Sequence, residues 1–194
     1  KLFYKNQEEY NKLLENKIKN FKNGNEFEIQ EFFVNSLELS EYPILKEKTI
    51  EISYNKETKI MVVNYDLPLL EDTYNIEKIS YISTREEFKT TTLKPKIATN
   101  YYNNIIYQIC LRTLYEIFEL DKPYNFVDAV IFNGMVSYNE KSSGQYRTDC
   151  ICSIQTTSNI FKTLDLKNID PKSCFKLLKG VGAAELNSIT PIAP

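Results

Sequence analysis

KIATNYYNNIIYQICLRTLYEIFEL, residues 96–120, is the stretch on which the fold turns. Ile97, Tyr101, Ile105, Gln108, Ile109, Arg112, Leu114, Ile117 and Phe118 recur every three or four positions. That spacing lines side chains up on one face of an α-helix. No other segment sustains it so long, so residues 96–120 are read as the central core helix, and Pro123 prevents its continuation. Strand patterns lie on both sides. Upstream, residues 49–54 alternate through Ile50, Ile52 and Tyr54, and residues 60–65 are rich in Val and Ile. Asn55, Lys56, Glu57 and Thr58 join the two runs as a hairpin, which ends at Asp66, Leu67 and Pro68. Residues 76–83, with Ile76, Ile79 and Tyr81 against Ile82, predict a third strand. Downstream, residues 126–138 resume a strand pattern, residues 139–144 form a polar turn, and residues 147–156 return as the partner strand.

Helical patterns stand at both ends. Residues 2–22 bring Phe3, Tyr10, Leu14, Ile18 and Phe21 close to one stripe, with Gly24 as the stop. Residues 26–40 form a second helix, closed by Pro43. Charge separates the two: residues 1–22 carry six lysines against three glutamates, and residues 25–47 six glutamates against one lysine. With fewer than three clean heptads, the first helix reads equally as a dimer-forming arm or as a helix packed on its own domain. Near the end, Ser158 caps a short turn reaching Leu164. Asp170 caps a helix with Pro171 at its first position, and Gly180 takes the C-cap glycine place, with Gly180, Val181 and Gly182 read as cap and turn. The predicted architecture is α+β: two N-terminal helices, a mainly antiparallel sheet of about five strands packed on the long central helix, and short C-terminal helices. Residues 1–41 are then a helical arm and residues 42–194 the α+β domain.

At 194 residues, with 42% hydrophobic and 26% charged residues, the chain predicts one folded, water-soluble unit. It has no histidine, which excludes Ser-His-Asp and Cys-His catalysis and histidine-based zinc sites within it. A net charge of -2 supplies no overall field toward nucleic acid, so DNA contact has to be local. Arg85, Arg112 and Arg147 are the only arginines, too few for extensive base reading. Cys110, Cys150, Cys152 and Cys174 show no CxxC spacing, and no leader-like or membrane-spanning run is seen, which predicts a reduced, cytoplasmic setting without membrane contact. A start at Lys1 rather than Met suggests a piece of something longer.

Few residues nominate themselves for chemistry. Glu57, Thr58 and Lys59, with Glu51 upstream, match the letters of an acid-acid-Lys nuclease core, but they fall in the hairpin turn, where solvated charges belong. Asp170, Pro171 and Lys172 match too, and the helix cap explains them better. Cys150 and Cys152, two apart on a strand, are expected on one side of it as buried apolar thiols; no metal ligand set is nominated. Lys172, Lys176 and Lys179 fall at i, i+4 and i+7, with Lys167 before them, and are the DNA-phosphate candidates; the alternative is a solvated face opposite Cys174, Phe175 and Leu178. Asn133, Gly134 and Gln155 are the candidates for a small ligand such as a nucleotide signal. Of Tyr101 and Tyr102, at least one is expected to be exposed.

Four long blocks carry a resemblance. ISYNKETKIMVVNYDLP (52–68), IYQICLRTLYEIFELD (106–121), VIFNGMV (130–136), and CSIQTT (152–157) with FKTLDLKNIDPKSCFKLLKG (161–180) resemble the region preceding the catalytic domain in Mrr-like restriction-endonuclease proteins. The resemblance implies a DNA-cleaving parent in bacterial restriction or anti-phage defence. Its Mg²⁺-dependent PD-(D/E)XK nuclease domain is expected after residue 194. No catalytic residue is carried over to this chain, which the resemblance makes a regulatory, target-sensing or oligomerising domain. DNA and a second copy of the chain are the partners it suggests.

Overall fold

In residues 60–66 every second side chain is buried: Met61, Val63 and Tyr65 face the core, while Val62, Asn64 and Asp66 are half-exposed. This one-sided alternation is that of a sheet with a single helix-covered face. The computed structural model describes residues 2–42, 49–73 and 75–193. Helices α1 (Leu2–Lys22) and α2 (Glu26–Glu38) precede the hairpin of β1 (Ile50–Asn55) and β2 (Ile60–Asp66). Then come β3 (Ile76–Ile82), β4 (Glu87–Thr92), the long α3 (Pro95–Asp121), β5 (Ala129–Asn139) and β6 (Tyr146–Thr157). The chain closes with α4 (Ser158–Phe161), α5 (Pro171–Leu177) and the two-residue β7 (Val181–Gly182).

The main sheet runs β1-β2-β5-β6-β7, antiparallel except where β2 meets β5. Parallel neighbours need a long crossover, and residues 67–128, with α3 inside them, supply it. The α+β class, the mainly antiparallel five-stranded sheet and the central helix are thus as expected from the sequence. The strands are partly different. The run at 76–83 does not join the sheet; it pairs with β4, a strand the sequence pattern did not reveal, in a separate two-stranded ribbon. The fifth sheet position goes to Val181 and Gly182, which pair with Ser153 and Cys152 and so form a short edge strand as well as a turn.

Local chemistry explains the element ends. Asn55 Oδ1 accepts from Thr58 N at 2.9 Å and Thr58 Oγ1 at 3.0 Å, and Lys59 takes φ 53°, which closes the first hairpin. Asn25 caps α2 by accepting from Glu28 N. That helix stops at Glu38, with Leu39 as its C-cap; Pro43, the expected stop, lies outside the described residues. Thr157, and not Ser158, caps α4. Asp170 caps α5 by accepting from Ser173 N at 2.8 Å, as expected, and its hydrogen bonds with Ser173, the side chain first and then the backbone N–H, hold its carboxyl below the usual range. At the other end of α5 the left-handed residue is Lys179 (φ 59°), not Gly180. Lys179 N donates to Lys176 O and Gly180 N to Phe175 O, a Schellman closure. Gly180 is small for another reason: a Cβ there would stand 2.4 Å from the Phe175 ring.

The core lies between one sheet face and the helices. Ile29, Phe33 and Leu37 of α2 and Ile106, Ile109, Leu114 and Ile117 of α3 meet Met61, Val63, Phe132 and Ile154. Fully burying each such side chain stabilises by about 1.5–3 kcal/mol. On α3, Tyr102 is buried and donates to Pro68 O at 2.9 Å, while Ile97, Tyr101, Gln108 and Arg112 are exposed. A bulge interrupts β5 and β6: Gly134 pairs with Cys152 and Met135 with Cys150, leaving Ile151 as the extra residue. Adjacent positions of β5 face opposite ways, so Cys150 and Cys152 do not share one side of the sheet as their spacing predicted. All four cysteines are free and buried. Among the described residues no helix is long and apolar enough to cross a membrane.

Candidate functional site

α1 is a helix with its apolar stripe turned outward. Its last turn is anchored: Phe21 meets Phe32 at 4.8 Å, Tyr124 at 4.9 Å and Phe126 at 5.3 Å between ring centroids, and Lys17 pairs with Glu31 at 2.7 Å. Beyond that anchor, Tyr10 is 60% exposed, Leu13 53% and Ile18 54%, with Leu14 exposed beside them. Four large apolar side chains on about two helical turns form an exposed patch of the kind that marks interaction sites. Leu13 was missing from the stripe read in the sequence; the side chain of Phe3 lies outside the described residues.

A second surface lies across the outer side of α3. There a groove of about 1130 Å³ runs between α3 and the segment 161–171. Ile105, Ile109 and Phe118 line one wall, and Phe161, Leu164 and Leu166 the other. Its rim is polar and mainly basic, with Arg112, Lys122, Lys162 and Lys167 against Glu119 and Asp165. These cations are not equivalent. Arg112 is fully used, donating to Glu116 Oε1 at 2.7 Å, Ser40 Oγ at 2.8 Å and Glu41 O at 3.1 Å while its guanidinium lies 4.2 Å over the Tyr42 ring. It ties the end of α2 to α3. Lys122 pairs with Glu119 at 2.6 Å. Lys162 and Lys167 are exposed and have no ion-pair partner among the described residues.

The residues nominated from sequence disperse. Lys167 sits in a turn where Asp165 Oδ1 accepts its backbone N–H, and it lines the groove. Lys172 and Lys176 are exposed on α5, and Lys179 lies just past it; none of these three lines the groove. The buried side of α5 is Cys174 and Phe175, followed by Leu178, as the spacing implied. Asn133 is buried with both ends engaged: its Nδ2 donates to Asn64 Oδ1 at 3.0 Å, and its Oδ1 accepts from Ser153 Oγ at 2.8 Å. Asn64, Asn133 and Ser153 are register partners, so they form one polar row across three strands. Gly134 backs onto the core, where a Cβ would come within 2.5 Å of Cys152 Sγ and Leu67 Cδ1. Gln155 is exposed on β6 opposite Ile131.

Glu57 and Lys59 occupy the hairpin turn, where Lys59 Nζ donates to Asn125 O at 3.2 Å, while Glu51 pairs with Asn64 farther along the hairpin. Burial pushes the Cys152 thiol up to about 12 and the Cys110 thiol upward as well, which makes both poor nucleophiles. Two surfaces escaped the sequence reading. The β3–β4 ribbon exposes Ile79, Phe88 and Tyr81, the last two packed at 5.2 Å; its first strand was read from Ile76, Ile79 and Tyr81, and the run of Phe88, Thr90, Thr91 and Thr92 was the signal for its second. The groove had no signal in spacing, because its walls come from segments far apart in the chain. Compared with known proteins, the chain matches no family model, no curated protein and no solved structure.

Proposed function

We propose that this chain is the non-catalytic assembly module of a DNA-cleaving parent, an Mrr-like endonuclease acting in DNA restriction or anti-phage defence. In this reading the Mg²⁺-dependent chemistry belongs to another part of the parent, and this part brings copies together so that two nuclease centres reach two strands. The carrying observation is the outward stripe Tyr10, Leu13, Leu14 and Ile18 on a helix whose last turns are anchored through Phe21 and Lys17. Each is already about half covered, so a partner that covers the rest adds about half of the roughly 1.5–3 kcal/mol of full burial. The blocks quoted above support the parent's class. DNA contact, in the same reading, falls to the exposed lysines Lys167, Lys172, Lys176 and Lys179.

Light scattering on the eluting chain tests the assembly. The wild type is expected to run at the mass of two copies or more, and Leu13→Glu with Leu14→Glu at the mass of one, with unchanged circular dichroism because both positions are exposed. A wild type that stays monomeric at high concentration overturns the proposal.

A further inference from the structure

No side chain of residues 76–92 belongs to the hydrophobic core, and the ribbon they form is only two strands wide. A two-stranded hairpin is marginally stable by itself in water; three or more strands with an apolar face are needed for independent stability. We propose that β3 of one copy pairs antiparallel with β3 of a second copy about a two-fold axis at Ser80, which joins the two ribbons into one four-stranded sheet. The contact is separate from the α1 stripe and goes beyond it.

β3 bonds to β4 along one edge, and along its other edge the backbone groups have no partner among the described residues. Such an edge is a template for another strand. Past the irregularity between Ile76 and Lys78, the regular part of β3 is Lys78, Ile79, Ser80, Tyr81 and Ile82, with Ser80 at its centre. An axis through that centre, perpendicular to the sheet, sets position 79 of each copy opposite position 81 of the other, on the same face. Ile79 then meets Tyr81 twice, an aromatic ring against a β-branched side chain, which is a stabilising cross-strand pair. On the other face Ser80 meets Ser80 at the axis and Lys78 meets Ile82, so no two like charges stand opposite each other.

The ribbon's apolar face argues for the same occupant. Tyr81 is paired with Phe88 and Ile79 with Thr90, so the exposed Ile79, Tyr81 and Phe88 lie on one face. Pairing about Ser80 continues the row Phe88 and Tyr81 of one copy into Ile79 of the other, and the second copy returns the row. Charge disfavours an unlike partner: Glu77, Glu86 and Glu87 balance Lys78, Arg85 and Lys89, which leaves no field toward nucleic acid or any strongly charged surface. The β4 edge suits the contact less, because Glu87, Lys89 and three threonines give it the polar, charged character that discourages strand pairing. Five residues a side fall well short of the roughly 20–30 a side of a stable interface, so the contact is transient alone and tightens where copies are already held together.

Two single-cysteine variants read the register. Ser80→Cys exchanges a hydroxyl for a thiol on the axis, where opposed Cα atoms stand about 4.5–5.5 Å apart and a disulfide can close. Lys78→Cys, on the same face and more exposed, would stand about 14 Å from its own counterpart, beyond that reach. The four native thiols are buried, so the introduced ones react selectively. Under mild oxidation the Ser80→Cys bridge between copies is expected to form at least about tenfold faster than the Lys78→Cys bridge. In the Ser80→Cys chain, Ile79→Glu should slow the bridge about tenfold, and Tyr81→Lys added to it should restore the rate, because position 79 meets position 81 of the other copy. Equal rates for Ser80→Cys and Lys78→Cys mark random collision and overturn the strand contact. Light scattering on the same chains keeps the two readings apart. Equal rates in a chain of two or more copies remove the strand contact alone, a selective bridge in a chain that otherwise stays monomeric removes the α1 reading alone, and a monomer without a selective bridge overturns both.

Discussion

A left-handed backbone at a residue with a Cβ costs about 1–2 kcal/mol, and Lys179 accepts that conformation at the end of α5. Lys179→Gly is therefore expected to raise stability by about that amount in a urea titration. No gain would mean that the lysine side chain contributes there by other contacts. Asp121 makes a second, pH-dependent case. It accepts from Phe126 N at 2.9 Å and Val127 N at 3.1 Å, but burial outweighs those bonds and raises its carboxyl above the usual range. Its neutral form thus favours the fold below about pH 4, and that contribution is lost as pH rises through the raised value. Against Asp121→Asn, which cannot ionise, the wild type should hold a larger stability margin at pH 3 than at pH 7, read from denaturant midpoints at both. A margin that grows with pH would contradict the raised carboxyl. At this scale the sequence was partly transparent. Asp170 declared itself as a cap, while Gly180 misled, because its small size answers the Phe175 ring and not the backbone angle.

Elements were legible where one physical demand dominated. The 3.6-residue period found α3, alternation found β1, Val and Ile enrichment found β2, and strand patterns on either side of a polar turn found β5 and β6, each to within a few residues, because each buries side chains against the core. β4 was hidden since Glu87, Lys89 and Thr90 meet no core and leave no alternation to read. The bulge at Ile151 left no mark either, and it reversed the expected relation of two cysteines. On α5, Lys172 and Lys176 project from a seven-residue helix whose other side is buried, so their number limits how strongly this element engages a phosphate backbone. With Lys167 and Lys179 they make at most four contacts, so the log-log salt slope of duplex binding should not exceed about 3.6 in magnitude. Fluorescence anisotropy at several salt concentrations reads that slope, and replacing the four lysines with Glu should abolish binding. Affinity unchanged by that replacement would remove these residues from the DNA contact.

Across the whole molecule, the candidate surfaces were the least legible feature. The stripe on α1 was visible, but its exposure was not, since the same period serves a docked helix and a free one. The groove exists only after residues 105–122 and 161–171 are brought together, and Lys162 and Lys167, without an ion-pair partner among the described residues, acquire meaning only at that rim. Topology adds a consequence of another kind. Asn64 and Asn133 bond at the centre of the sheet although 69 residues separate them in the chain. A ribosome adding about 5–20 residues per second therefore releases β2 roughly 3–14 seconds before its central partner exists. Throughout that interval the newborn hairpin offers an unpaired strand edge to every other nascent copy nearby. Crowded translation of one message is thus the moment at which this protein is most exposed to mispairing, and slower synthesis of the crossover would lengthen it.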